Sequence, residues 1–436
     1  MALLTERRSP RRALRRFQSR AHPPSWRAVG SSLITGAADD DPSAVATYAS
    51  AGSAFGPGIL WTAPALFPMR AVVVYLSSKL GQVSGQGLVG TIKTCFPRWV
   101  LLVVAVGAVI GNTIEAGADL GGIAAALNLL APAPITALVV AVAAVILAVQ
   151  WFGSYRWILA VFRWLALVLV VYIVSAVLVH PAAVHPAQAV KLPPIHLGRG
   201  YWAMLVALVG ASLSPYLYIW QTSQEVEEDV SMGRRRLSDR KGTTAAALRI
   251  RAGDVLAGMA FSSVVMYCII LSTASTLYPA GVGRLSTAAQ AAQALRPLAG
   301  PLAGWLFALG VIGVGFLAVP VMTVGAAYVV CDACGWKSGL SAKPRDAKQF
   351  YGVIAATTVV AVAINFLGAN PIHTLVAAGV VQGLLAPGLL VLMMLMTNNK
   401  KLMGVWTNTR RVNLLGWATT ALVTAAALAL VVSAAI

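Results

Sequence analysis

The sequence predicts an all-α integral membrane protein of about eleven transmembrane helices, arranged as a 5+5 inverted repeat with one extra helix. Three observations lead there. The 436 residues are 58% hydrophobic and only 11% charged, whereas soluble domains carry roughly 25% charged residues. Apolar runs of roughly 20 residues, enough to cross a bilayer, recur along the whole chain. Prolines interrupt the first and the sixth of these runs, at Pro42 and Pro215, and paired interruptions in matching positions of two halves point to the binding site of a carrier.

The eleven runs lie near residues 31–53, 57–79, 99–128, 133–152, 157–180, 200–225, 252–277, 300–330, 350–368, 372–397 and 413–434. They divide the chain into a basic tail (1–30), a transporter core (31–397, with repeat one at 31–180 and repeat two at 200–397), and a loop with the eleventh helix (398–436). The tail lacks the apolar core of a signal peptide, and its arginines suit cytoplasmic retention and contact with anionic lipid. All but five of the 33 basic residues fall in alternate loops; the exceptions are Lys191, Arg199, Arg284, Arg296 and the in-span Arg70. The positive-inside rule then places the N-terminus in the cytoplasm and the C-terminus outside. This placement also accounts for the net charge of +19 without nucleic acid.

The first run, SSLITGAADDDPSAVATYASAGS, sets Asp39, Asp40 and Asp41 directly before Pro42. Proline lacks an N–H and disfavours helix at the residue before it, so the span breaks there. Unwound backbone at membrane depth is tolerated only where it is buried in protein or lines a cavity, and carboxylates there mark ion or proton pathways. The alternative puts the aspartates at a helix N-cap in a water-facing loop. In the second run Arg70 is the other buried charge, expected to neutralise one of the acids because an unpaired buried charge is severely penalised. The third run carries NTIEAGADLGG, whose Asn112, Glu115 and Asp119 share one helix face. These acids could form a proton relay, a second cation ligand set or a structural hydrogen-bond network.

Between the fifth and sixth runs, HPAAVHPAQAVKLPPIHLG holds His180, His185 and His196; its prolines favour an extended connector over a metal-collecting loop. The sixth run, GASLSPYLYIW, is the second broken span. It leads into QEVEEDVSMGRRRLSDRK, where Glu225, Glu227, Glu228 and Asp229 could attract cations at an inner vestibule. A solvated amphoteric loop is the plainer reading. Asn365 and Gln382 are isolated polar groups with helix–helix hydrogen bonding as their default role. Cys331 and Cys334 form a lone C-x-x-C without the partners that redox or zinc chemistry needs. No catalytic triad or nucleotide-binding fingerprint occurs, so an enzyme is not expected.

These residues resemble a known family. D-P-S-A at 41–44 resembles the D-P-G-N signature of the NRAMP (natural resistance-associated macrophage protein) divalent-metal transporters. G-A-S-L-S-P-Y at 210–216 resembles their G-A-x-x-M-P-H, NTIE at 112–115 their D-x-x-E, and GSYRW at 153–157 their fourth-to-fifth loop. The resemblance implies the LeuT-type architecture and, typically for bacterial members, eleven spans in the plasma membrane. It further implies that the metal is held by the carboxylate of Asp41 and the backbone carbonyls of Ala38 and Ala211. The departures are as informative. Ala44 stands where the family has its asparagine ligand, Ser214 where it has methionine, Tyr216 where it has histidine, and Asn112 where it has the third-helix aspartate; Glu115 is retained.

Loss of the thioether removes the preference for soft ions, while carboxylate, carbonyl, hydroxyl and water suit Mg²⁺, Ca²⁺ and Mn²⁺. Fewer direct ligands leave room for the waters that Mg²⁺ keeps. The pattern is similar to the divergent NRAMP-related branch that includes magnesium transporters. The expectation is a secondary transporter of Mg²⁺ or Mn²⁺ working by alternating access. Asp41, Ala38, Ala211 and Ser214 would surround the ion; Asp39, Asp40, Ala44, Asn112, Glu115, Asp119 and Tyr216 would form an outer shell or proton path. Its partners would be the divalent ion and the lipid bilayer, with no nucleic acid, no cofactor and function as a monomer. Two alternatives remain open: a proton-coupled Mn²⁺/Fe²⁺ symporter as in ordinary NRAMP proteins, and an amino-acid or other organic-substrate carrier of the same fold.

Overall fold

The computed structural model describes residues 31–153, 165, 167–178, 199–283, 285–293, 300 and 303–435. Every regular element among them is a helix. The first apolar run is split into α1 (Ser31–Asp39) and α2 (Pro42–Phe55), followed by α3 (Thr62–Ser84), α4 (Leu88–Cys95), α5 (Arg98–Leu130), α6 (Ile135–Phe152) and α7 (Val170–Leu178). The sixth run is split into α8 (Arg199–Ser212) and α9 (Pro215–Ser231). The remainder comprises α10 (Ala245–Thr276), α11 (Ala288–Gln293), α12 (Ala303–Cys334), α13 (Lys348–Ile364), α14 (Pro371–Asn398) and α15 (Arg410–Ala435). The basic tail, the start of the fifth run (157–164) and the three histidines at 180, 185 and 196 lie outside the described residues.

Both breaks form where the prolines require them. Pro42 and Pro215 each occupy the first turn of a new helix, where the missing N–H costs nothing and the fixed φ is already helical. The residues ahead of them are extended, Asp41 at φ −62°, ψ 172° and Ser214 at φ −62°, ψ 129°, as the proline ring demands of its predecessor. Neither α1 nor α2 reaches the roughly 20 residues of a span alone; end to end they do. Between α2 and α3 the chain turns by 114°. Eight helices are long and apolar enough to cross a membrane among the described residues, or nine with the bent α2–α3 pair taken as one. Large apolar side chains stay exposed along the first half of α5 (Trp99, Leu102, Val103, Val106, Ile110) and along α15 (Leu414, Leu422, Leu428, Val432). In this integral membrane protein such surfaces face hydrocarbon.

The helices pack in two groups. One contains α1, α2, α3, α9 and α10; the other contains α5, α6, α12 and α13, with α5 against α12 the broadest contact. α8 lies along α14, and α14 touches both groups. Close crossings use glycine, as expected where apolar side chains gain little by leaving lipid. A Cβ on Gly210 of α8 would stand 1.8 Å from the Gly379 carbonyl oxygen and 2.5 Å from the Gly383 nitrogen of α14. On Gly36 of α1 it would stand 2.4 Å from the Gly258 carbonyl oxygen of α10.

Candidate metal centre

The three consecutive aspartates are each 0% exposed, which excludes the water-facing loop. Asp41 is nevertheless an N-cap: its Oδ1 accepts from the Ala44 N–H of α2 at 2.7 Å. Capping and burial are therefore combined in one residue, because the helix it caps begins inside the protein.

Asp39 and Asp40 turn one way. Asp39 Oδ2 pairs with Arg70 Nη1 of α3 at 2.9 Å, and the Ser262 hydroxyl of α10 lies 3.0 Å from both Asp39 Oδ2 and Asp40 Oδ1. Arg70 is itself fully buried. Its Nη2 donates to Ser212 Oγ at the end of α8 (2.8 Å), to Tyr48 of α2 (3.3 Å) and to the Met266 sulfur (2.7 Å). One guanidinium thus ties together the ends of both broken spans. The sequence assigned Arg70 to an acid, and the acid is Asp39. Its other partners, Tyr48, Ser212, Ser262 and Met266, carry no signal in the sequence, since serines and methionines are ordinary in apolar helices.

Asp41 turns the other way, toward α5. Single carboxylate oxygens of Asp41, Glu115 and Asp119 all lie within 4.8 Å of one another, and all three residues are buried. Ser43 links them: its Oγ lies 2.8 Å from Asp41 Oδ1 and also hydrogen-bonds Glu115 Oε1, while its N–H donates to Asp119 Oδ1 at 3.1 Å. Glu115 Oε2 and Asp119 Oδ2 have no hydrogen-bond partner. A buried oxygen without a partner is costly, and three carboxyl groups this close favour a bound cation or a shared proton. The i,i+4 spacing of Glu115 and Asp119 made their common face legible; Ser43 lies in the D-P-S-A motif and could have been found there.

The residues around the triad fall in several places. Tyr216, second residue of α9, puts its hydroxyl 2.7 Å from the Ala38 carbonyl oxygen and 2.8 Å from Asp41 Oδ2. Ser214 Oγ donates to the Gly210 carbonyl at 2.6 Å, and the Tyr218 hydroxyl to the Leu213 carbonyl, so part of the second break is satisfied internally. Ala38, Ala44 and Ala211 are fully buried beside the breaks. Asn112 donates to the Met322 carbonyl of α12 at 3.2 Å. Asn365 donates to the Gly117 carbonyl of α5 at 2.8 Å, a helix–helix bond as expected. Gln382 of α14, 1% exposed, sets its amide against Glu115 of α5, a polar contact between helices.

The acidic stretch after the second break also departs from expectation. It is not a solvated loop: α9 continues to Ser231, and Glu225 and Glu227 are buried. Other helices present partners to them. Glu225 accepts from Ser78 of α3 at 2.7 Å and pairs with Arg251 of α10 at 3.1 Å. Glu227 accepts from Tyr328 of α12 at 2.8 Å and from the Ser341 hydroxyl at 2.7 Å. Exposed residues begin only at Ser231. Cys331 is buried in α12, Cys334 is exposed at its end, and both are free thiols.

A family model described as natural resistance-associated macrophage protein-like matches residues 32–433. The divalent metal cation transporter MntH of Deinococcus radiodurans is 26% identical over 397 residues, which cover 89% of this chain and 86% of that protein. MntH of Mycobacterium tuberculosis is 26% identical over 404 residues, covering 90% and 88%. The structure of the Eremococcus coleocola manganese transporter superposes with a TM-score of 0.70 at 18% identity, over 95% of this chain and 88% of that one. Mhp1, a nucleobase-cation-symport-1 family transporter, superposes with a TM-score of 0.58 at 13% identity, over 92% and 91%. The inverted repeat expected from the paired breaks, in the LeuT-type architecture that the family resemblance implied, is thus the fold of the protein.

Proposed function

The chain belongs to the natural resistance-associated macrophage protein-like family, and from that premise we propose that it is a membrane carrier of divalent metal cations, with Mg²⁺ or Mn²⁺ as its ion. The observation that carries this reading is the buried group of Asp41, Glu115 and Asp119 beside the break in the first span. The relatives named as divalent metal cation transporters support the ion class. Asp41 is the central ligand, and the unpartnered Glu115 Oε2 and Asp119 Oδ2 bring further hard oxygen donors to the ion. The carbonyls of Ala38 and Ala211 and the Ser214 hydroxyl complete the proposed set.

Donor chemistry favours a hard ion. Carboxylate and carbonyl oxygens suit Mg²⁺ and Mn²⁺, whereas thioether sulfur suits softer ions. Met266 lies near the breaks, but its sulfur contacts Arg70 and Ser212 and belongs to the other group of acids. An organic substrate bound through a carboxylate is disfavoured, since three carboxyl groups would repel it. The proposed cycle is alternating access between the two helix groups, in a monomer with its N-terminus in the cytoplasm and its C-terminus outside, as the loop charges require.

The same two α5 acids support a second reading, in which proton movement through Glu115 and Asp119 accompanies Mn²⁺. Uptake by liposomes containing the purified protein and a pH dye separates the two. Mg²⁺ entry, or Mg²⁺ competition with Mn²⁺, without acidification is the expected result. Mn²⁺ entry that ignores excess Mg²⁺ and acidifies the lumen would establish the second reading instead.

A further inference from the structure

We propose that the Tyr216 hydroxyl competes with the transported cation for Asp41 and the Ala38 carbonyl, and so sets which divalent ions bind tightly; this rests on the metal reading above. A carboxylate offers about four lone-pair positions. At Asp41, Oδ1 meets the Ala44 N–H at 2.7 Å and Ser43 Oγ at 2.8 Å, and Oδ2 meets the Tyr216 hydroxyl at 2.8 Å. One position is left. The same hydroxyl lies 2.7 Å from the Ala38 carbonyl oxygen at the end of α1. Two of the oxygens assigned to the ion therefore face one phenolic proton.

Tyr216 cannot easily withdraw. It is 0% exposed and follows Pro215 at the start of α9, so its ring is fixed by helix geometry and by packing. Its bond to a carboxylate is of the stronger, charge-assisted kind. An ion that requires direct bonds to both Asp41 Oδ2 and the Ala38 oxygen must displace that bond. An ion that retains its waters, as Mg²⁺ does, can use the one open position on Asp41 and reach the remaining oxygens through water. Tyr216 thus penalises an ion that sheds its water shell and spares one that keeps it. The hydroxyl is a specificity device rather than a ligand.

The test is calorimetric titration of Mn²⁺ and Mg²⁺ into the full-length protein in detergent, for wild type, Tyr216→Phe and Asp41→Ala. Exchange predicts that Tyr216→Phe binds Mn²⁺ more tightly by about tenfold, the worth of one hydrogen bond to a charged group, and Mg²⁺ by clearly less. A merely structural tyrosine would lose affinity for both ions. Melting of the metal-free proteins checks that the variants fold, and Tyr216→Leu repeats the measurement if Tyr216→Phe does not. Unchanged or weakened Mn²⁺ binding in the hydroxyl-less variant overturns the proposal. Binding by wild type that survives in Asp41→Ala, or no binding in any of them, overturns the metal reading and this inference with it.

Discussion

Asp39 and Asp41 are two residues apart, equally buried, and on the same broken span, yet they sit in opposite chemical settings. Asp39 pairs with Arg70, and Ser262 joins it to its neighbour Asp40. Asp41 shares its surroundings with Glu115 and Asp119, and the link between them is the neutral Ser43. The unwound backbone allows this, because it sends successive side chains to different sides where a helix would step them around one axis. The comparison teaches that a carboxylate's role here follows from what faces it. A tethered cation, Arg70, pairs with the first group, whereas the second is joined only by a neutral hydroxyl, which is why the proposed ion is assigned to it.

Six substitutions would break or sharpen that contrast. The largest effect is expected for Asp41→Ala, which should reduce metal uptake by proteoliposomes to background, while Asp40→Asn retains measurable uptake. Equal uptake by Asp41→Ala and wild type would remove the distinction altogether. Next, Arg70→Leu strands the buried Asp39 carboxyl group and should destabilise the protein by roughly 3–5 kcal/mol, read as a lower melting temperature in detergent. Adding Asp39→Leu should recover part of that loss; no recovery would mean that Arg70 acts mainly through Ser212 and Tyr48. Glu115→Gln keeps the shape but not the charge, and should weaken ion binding by about tenfold, or about 1.4 kcal/mol, with little change in melting. Ser262→Ala is the mildest, costing about 1–2 kcal/mol of stability and leaving Mn²⁺ affinity unaltered. A shift in affinity there would show that the two groups communicate.

Much of this arrangement was legible in the residues. Pro42 and Pro215 marked both breaks because proline acts locally, on its own turn and on the residue before it. The Glu115–Asp119 face followed from helix periodicity, which is also local. What escaped was long-range. Spacing alone does not separate Asp39 from Asp41, which only the family resemblance singled out, since the direction each takes depends on the extended backbone at Asp41 and on other helices, those of Arg70, Glu115 and Ser262. The QEVEED stretch misled for the same reason. Its charge density reads as solvated, and only Ser78, Arg251, Tyr328 and Ser341, each contributed from elsewhere, make its burial tolerable.

The glycine crossing of α8 and α14 bears on mechanics. Where Gly210 meets Gly379 and Gly383, backbone rests on backbone with no side chain between. Side-chain contacts can slip by changing rotamers, as Leu375 and Leu385 of α14 could against Gly122 and Gly111 of α5. Backbones in direct contact have no such freedom. The α8–α14 crossing is a weld, and the α14–α5 seam is a bearing. Whichever way the carrier opens, the tenth span should travel with the first half of the sixth, α8, and slide over the third.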